Sequence, residues 1–134
     1  MNYQVDTHIL LWSLFDPERL PQGIESILLD EDNSIYYNVV NLWEISIKYG
    51  LKKLFLEGLE PSDIFEELLE SFYRYEDLEP FVAVGTHQLP LHHKDPFDRL
   101  LVYDAIYFDR TLLSVDSRLA AYRADGLKLI SGCE

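Results

Sequence analysis

Leu89-Pro-Leu-His-His-Lys-Asp-Pro-Phe-Asp-Arg-Leu-Leu101 is the stretch on which the reading of this chain turns. Its character changes at Asp95. Upstream, a proline and two histidines read as loop; downstream, apolar residues recur with helical spacing as far as Phe108. Pro96 suits the first helical position, where a missing N–H costs nothing, and Asp95 suits the cap before it. A helix over residues 95–108 and a β-rich run over 111–115 follow. The same alternation extends outward in both directions. Residues 3–5 read as a strand and 7–15 as a helix stopped by Asp16-Pro17. Residues 21–29 read as a helix with Ile24, Ile27 and Leu28 on one face, and residues 34–39 as the second strand. Residues 41–49 form a helix ending at Gly50, taken as the left-handed residue after its cap. Residues 61–72 form another, with Ile64, Phe65, Leu68 and Leu69 inward. A helix over 117–124 closed near Gly126 and a strand over 127–130 complete the pattern. Short strands alternating with helices imply an α/β fold with a parallel sheet covered on both faces.

Residues 73–88 admit two readings. Propensity makes Phe81-Val-Ala-Val84 a strand, whereas Glu79-Pro80 has the form of a helix start.

At 134 residues the chain is one domain, 1–134, with 48% apolar residues, enough for a hydrophobic core. No apolar run approaches the roughly 20 residues of a membrane-spanning helix. The N-terminus lacks the basic segment and cleavage site of a signal peptide. The sole cysteine, Cys133, has no internal partner, so a reducing cytoplasm is expected. The net charge of −13 argues against a general nucleic-acid coat protein, which carries a basic footprint. It is compatible with an enzyme that meets a short RNA segment through metal ions, or with a protein held by a basic partner.

Four acids stand where a strand gives way to a helix: Asp6, Glu44, Asp98 and Asp116. In an open parallel sheet, ligands gather at the carboxyl ends of the strands. Carboxylates brought together there repel one another unless a cation holds them, and a hard divalent ion suits oxygen ligands. Singly, each acid can be a helix cap: Asn41-x-x-Glu44 and Asp95-x-x-Asp98 have capping-box spacing, and Asp6-Thr7 and Asp116-Ser117 are ordinary N-caps. All four junctions being acidic favours a metal site. His87, His92 and His93 lack the helical spacing of a zinc site and read as surface or packing residues; His8 reads as a helix residue set by packing. The serines lack a nucleophile-elbow pattern and the glycines form no phosphate-cradling loop.

Val5-Asp6-Thr7-His8-Ile9-Leu10-Leu11-Trp12, Asn41-Leu42-Trp43-Glu44-Ile45-Ser46-Ile47-Lys48, Asp95-Pro96-Phe97-Asp98-Arg99-Leu100-Leu101 and Leu113-Ser114-Val115-Asp116 together resemble the PIN-domain nucleases. The nearest branch is the VapC-type toxins of bacterial type II toxin–antitoxin pairs. The resemblance spans residues 1 to 130 in order. It implies a three-layer α/β/α sandwich and a magnesium- or manganese-dependent endoribonuclease leaving a 5′-phosphate and a 3′-hydroxyl. It implies Asp6, Glu44, Asp98 and Asp116 as catalytic metal ligands, with Asp6 and Asp98 at their core. Asp95, Asn41 and Ser114 would orient ligands or water. Lys48, four residues after Glu44, would contact phosphate or simply pair with that glutamate; Arg99 would contact substrate or make a buried structural pair. The resemblance also places a helix over residues 80–88 and the third strand near 73–77. Partners implied are RNA, a small antitoxin presenting a basic residue to the acidic pocket, and a second copy in a homodimer; residues 51–59 and 64–72 are candidate contact surface. Asn41 and Ser114 stand where serine and threonine are common, and Tyr103-Asp104 replaces an alanine–glutamine pair. Two other readings remain open: a catalytically inactive PIN-like partner-binding domain, and a magnesium-dependent phosphatase, which needs a second aspartate where His8 stands.

Overall fold

In the computed structural model, which describes residues 1–132, five strands form one wholly parallel sheet in the order β3-β2-β1-β4-β5. Cys133 lies outside the described residues. The strands are β1 (Asn2–Val5), β2 (Ser34–Asn38), β3 (Arg74–Glu76), β4 (Thr111–Leu113) and β5 (Lys128–Ile130). Parallel neighbours need long crossovers, and helices supply them. α1 (Thr7–Phe15) and α2 (Gln22–Leu29) join β1 to β2; α3 (Val39–Gly50) and α4 (Pro61–Leu69) join β2 to β3; α5 (Pro80–Gly85) and α6 (Pro96–Tyr107) join β3 to β4. The chain builds outward from β1 to β3, then returns to the other side of β1 with β4. The strand order therefore reverses at the β1–β4 pair, where Val5 lies opposite Leu113.

Side chains alternate across the sheet and seed two cores. Tyr3, Val5 and Leu113 join Ile9, Leu10, Ile24, Ile45, Ile64 and Leu68 on one face. Leu112 and Leu129 join Val102, Ala105, Leu119 and Tyr122 on the other. This is the expected three-layer α/β/α sandwich. No helix among the described residues is long and apolar enough to cross a membrane.

The ambiguous stretch forms β3 and then α5, continued by a 3-10 turn at Thr86–Gln88. Propensity loses at Phe81–Val84 because Pro80 opens the helix and the Glu79 carboxylate caps the Phe81 amide at 3.4 Å. α4 stops at Leu69, which is exposed together with Phe72, so only Ile64 and Leu68 of that helix are fully buried. Ser117–Asp125 winds as a 3-10 helix rather than an α-helix, closed by left-handed Gly126.

α3 departs from expectation at both ends. Its cap is Asn38, not Asn41: the Asn38 side chain accepts from the Val40 amide (2.8 Å), and Asn41 accepts from the Asn38 amide (3.0 Å). Glu44 therefore sits in the second turn. At the other end Gly50 is still helical, and Lys52, with φ 59°, takes the left-handed position. The Lys53 amide reaches the Lys48 carbonyl (2.9 Å) and the Lys52 amide the Tyr49 carbonyl (3.0 Å), a Schellman closure with lysine in the usual glycine place.

Candidate active site

Asp6, Glu44, Asp95, Asp98 and Asp116 line one cleft of about 410 Å³ at the carboxyl edge of the sheet, where the strand order reverses. His8, Trp12, Arg19, Lys48, Val115 and Arg118 complete its walls. All four acids singled out in the sequence thus reach one depression, by four different routes.

Asp6 follows β1 and caps α1, its carboxylate accepting from the Ile9 amide (2.9 Å). It is buried, and burial pushes its pKa up even though a hydrogen bond from Ser114 opposes the shift. Ser114, itself buried after β4, also accepts from the Asp116 amide (3.1 Å), so one hydroxyl ties the two acids together. Glu44 is buried as well. It accepts from the Thr7 hydroxyl (2.5 Å) and from Lys48 (2.6 Å). Asn41 donates to the Thr7 hydroxyl (3.2 Å) and to the Val5 carbonyl (3.2 Å), locking the first turn of α1 to α3. The Lys48 ammonium lies on Glu44, the pair that its spacing allowed.

Asp98 stands in the first turn of α6. Burial first, and then repulsion from Asp95, Glu44 and Asp6, raise its carboxyl to about 7. Asp95 acts as the α6 cap, accepting from the Phe97 (2.8 Å) and Asp98 (3.2 Å) amides. Asp116 lies three residues past the end of β4, later than the sequence placed it, and caps the 3-10 helix. Arg118 clamps it with two 2.9 Å bonds, and this contact is the main cause holding its carboxyl down at about 2.

His93 went unrecognised in the sequence. It is buried, and its Nε2 lies 3.1 Å from Asp116 and 3.5 Å from Asp98. With those two acids it places three possible metal-ligand atoms within 4.8 Å of one another. The Asp95 amide donates to Nδ1 (3.1 Å), so the ring proton of the neutral imidazole sits on Nε2 and points at the carboxylates. His93 is thereby a donor to Asp116, with the Asp98 carboxylate 3.5 Å from the same nitrogen. Histidine spacing could not reveal this, because the contact is made by a loop folding back on a helix cap. That loop is fastened by Arg99, which donates to the Pro90 (2.9 Å), Thr86 (3.1 Å) and Leu89 carbonyls and to the Tyr122 hydroxyl (3.0 Å). Arg99 does not line this cleft; its bonds hold the loop instead. His8, expected to pack, is exposed on the wall beside Trp12, 6.0 Å between ring centres.

Comparison with known proteins gives the same outline. The family model for the PIN domain matches residues 3–125. VapBC2 from Rickettsia felis, solved with a promoter DNA fragment, contains a chain similar to this one with TM-score 0.70 and 19% identity, over 97% of this chain and 98% of that one. DNA-bound VapBC from Salmonella typhimurium gives 0.69 and 16%, over 99% of both chains. VapBC-1 from nontypeable Haemophilus influenzae gives 0.65 and 14%, over 100% of both. No curated protein matches the sequence.

Proposed function

The chain belongs to the PIN-domain family, and on that premise we propose that it is a metal-dependent endoribonuclease, the VapC-type toxin of a toxin–antitoxin pair. One observation carries the reading: four carboxylates, Asp6 and Asp116 from beyond β1 and β4 and Glu44 and Asp98 from α3 and α6, line a single cleft, where burial and then repulsion from its neighbours hold Asp98 at about 7. Such a site is short of positive charge, and its oxygen donors suit magnesium or manganese. Asp6, Glu44, Asp98 and Asp116 would hold the ion. Once bound, it would supply Lewis-acid stabilisation of the phosphate and a more acidic water.

The chain's own residues account for the rest. Thr7, Asn41 and Ser114 fix the angles of Glu44 and Asp6, the kind of support on which ligand geometry depends. Asp95 sets the start of α6 and so the position of Asp98. Lys48 balances Glu44 and can turn from it toward a substrate phosphate. The His93 Nε2–H steadies Asp98 and Asp116 against each other.

The partners follow as part of the proposal. The similar solved structures are VapBC complexes. A net charge of −13 suits an antitoxin with a basic inhibitory segment, and exposed Leu51, Leu69 and Phe72 offer apolar surface to that antitoxin or to a second copy. A cytoplasmic setting agrees with a single cysteine. The phosphatase reading lacks its second aspartate at His8 and does not fit the family.

The test is cleavage of mixed cellular RNA by the purified protein. Cutting with Mg²⁺ that disappears with EDTA and in Asp98→Asn is the expected result. Folded wild-type protein that binds the ion but cuts no RNA would favour the partner-binding reading.

A further inference from the structure

Two further depressions follow the carboxylate cleft, each sharing wall residues with the one before. One of about 440 Å³ shares His8, Trp12 and Arg19 with it and adds Leu11, Phe15 and Phe55. The next, about 620 Å³, shares Leu54 and Phe55 with the second and is completed by Tyr49, Gly50, Lys52 and Lys53. The trough thus runs from the acids, past the Arg19 guanidinium stacked 4.5 Å over Trp12, to a basic and aromatic lobe. Asp16, Glu18 and Glu57 stand in its middle section, where Trp12, Phe15 and Phe55 give a base, not a phosphate, something to meet.

The cations at the two ends differ. In the carboxylate cleft Lys48 and Arg118 are held by Glu44 and Asp116. Lys52 and Lys53 make no ion pair with an acid among the described residues, and both are exposed. Phe55, 82% exposed, lies beside them. Lys52 also occupies the left-handed position of the α3 closure (φ 59°), where glycine is conformationally cheaper. Strain kept at one residue is a reason to ask what its side chain does.

We propose that Lys52, Lys53, Tyr49 and Phe55 form a second binding lobe for single-stranded RNA, which takes the segment leading away from the carboxylate cleft along the Trp12–Arg19 wall. The lysines meet phosphates and the aromatic rings meet bases, the pairing common to proteins that bind single strands. The assignment rests on the nuclease reading of the cleft. It places substrate affinity in a chain of net charge −13 at one of its few unpaired basic patches.

The test measures binding, not cutting. In the Asp98→Asn background, anisotropy of a labelled single strand of about twelve nucleotides is followed at several salt concentrations. Lys52→Glu/Lys53→Glu should weaken binding at least about tenfold and flatten the log K against log salt slope by about 1.4, the value for two phosphate contacts on a single strand. Phe55→Ala should weaken it by roughly tenfold with the slope unchanged. Lys52→Gly should raise Tm yet lower affinity, whereas a lysine with only a structural role would show no loss. The control Arg74→Glu/Lys128→Glu changes net charge equally, on β3 and β5, and should weaken binding far less. Unchanged affinity and slope in the Lys52/Lys53 variant, or an equal loss in the control, would overturn the lobe. Should wild type cut no RNA while lysine-dependent binding persists, the nuclease reading fails and the lobe stands.

Discussion

The two sides of the carboxylate cleft are built differently. On one side Asp6 and Glu44 are buried and bonded to Thr7, Ser114, Lys48 and the Ile9 amide, with Asn41 fixing Thr7 in turn. On the other side Asp98 and Asp116 are about one-fifth exposed, and cationic or N–H groups of His93 and Arg118 steady them. The first side is rigid because removing any one partner strands another in the interior, where an unpaired polar group is expensive. The second side is held by contacts that water can replace. A cleft with one fixed and one yielding wall can accept a cation and substrate without refolding its core.

The largest expected effect comes from attacking the yielding side where it carries charge. Asp98→Asn should lower RNA cleavage by about 100-fold or more, measured as initial rate with Mg²⁺, because outer partners of metal ligands alone are worth about 10- to 100-fold. It should leave the fold intact. Thr7→Val attacks the rigid side and should behave in the opposite manner. It takes one buried hydrogen bond from each of Glu44 and Asn41, which keep Lys48 and the Val5 carbonyl, and should cost about 1–3 kcal/mol of stability in a urea titration, besides any loss of activity.

Asp104 sharpens the comparison because it is buried outside the cleft. It accepts from Asn38 (3.3 Å), and burial, chiefly, raises its carboxyl to about 6. A carboxyl whose folded pKa is raised holds its proton in the folded state over a range where the unfolded chain has lost it. Its contribution therefore declines as pH rises from about 4 through 6. Asp104→Asn should raise Tm at pH 7.5 by the equivalent of about 2 kcal/mol, and the gain should vanish near pH 4. A gain that persisted unchanged at pH 4 would assign it to packing rather than to charge. The smallest effect belongs to Arg118→Ala. Its guanidinium is largely exposed and its pairing with Asp116 is screened by water, so stability should hardly change. The Asp116 carboxyl should nevertheless rise from its depressed value toward the ordinary range, readable by NMR titration.

The contrast between the walls also explains what the sequence could and could not reveal. Asp6, Asp98 and Asp116 were legible because each stands at the start of a helix, Asp6 and Asp116 just beyond β1 and β4, a local pattern. The parallel sheet followed from the alternation of elements and from the resemblance, whereas its strand order is set by pairings that neither encodes. Glu44 was placed one turn too early because Asn38 and Asn41 can each cap a helix. Only the pairing between them, made once β2 ends at Asn38, decides which one does. The role of His93 was missed, and the partners of Arg99 went unnamed, for a shared reason. Their partners, Asp116, Tyr122 and the carbonyls of residues 86–90, meet them through the fold of a loop, which neither periodicity nor capping encodes. Leu69 was assigned inward from helical spacing, but α4 ends there and its side chain faces solvent.

The central claim, that these two walls share a divalent ion, is tested most directly by calorimetric titration of the protein with Mn²⁺ at pH 7. Metal-free Asp98 stands at about 7, so ion binding should expel a fraction of a proton, seen as a heat that varies with the ionisation enthalpy of the buffer. That dependence should be lost in Asp98→Asn. Folded wild-type protein that gives no heat of binding in any buffer would contradict the account.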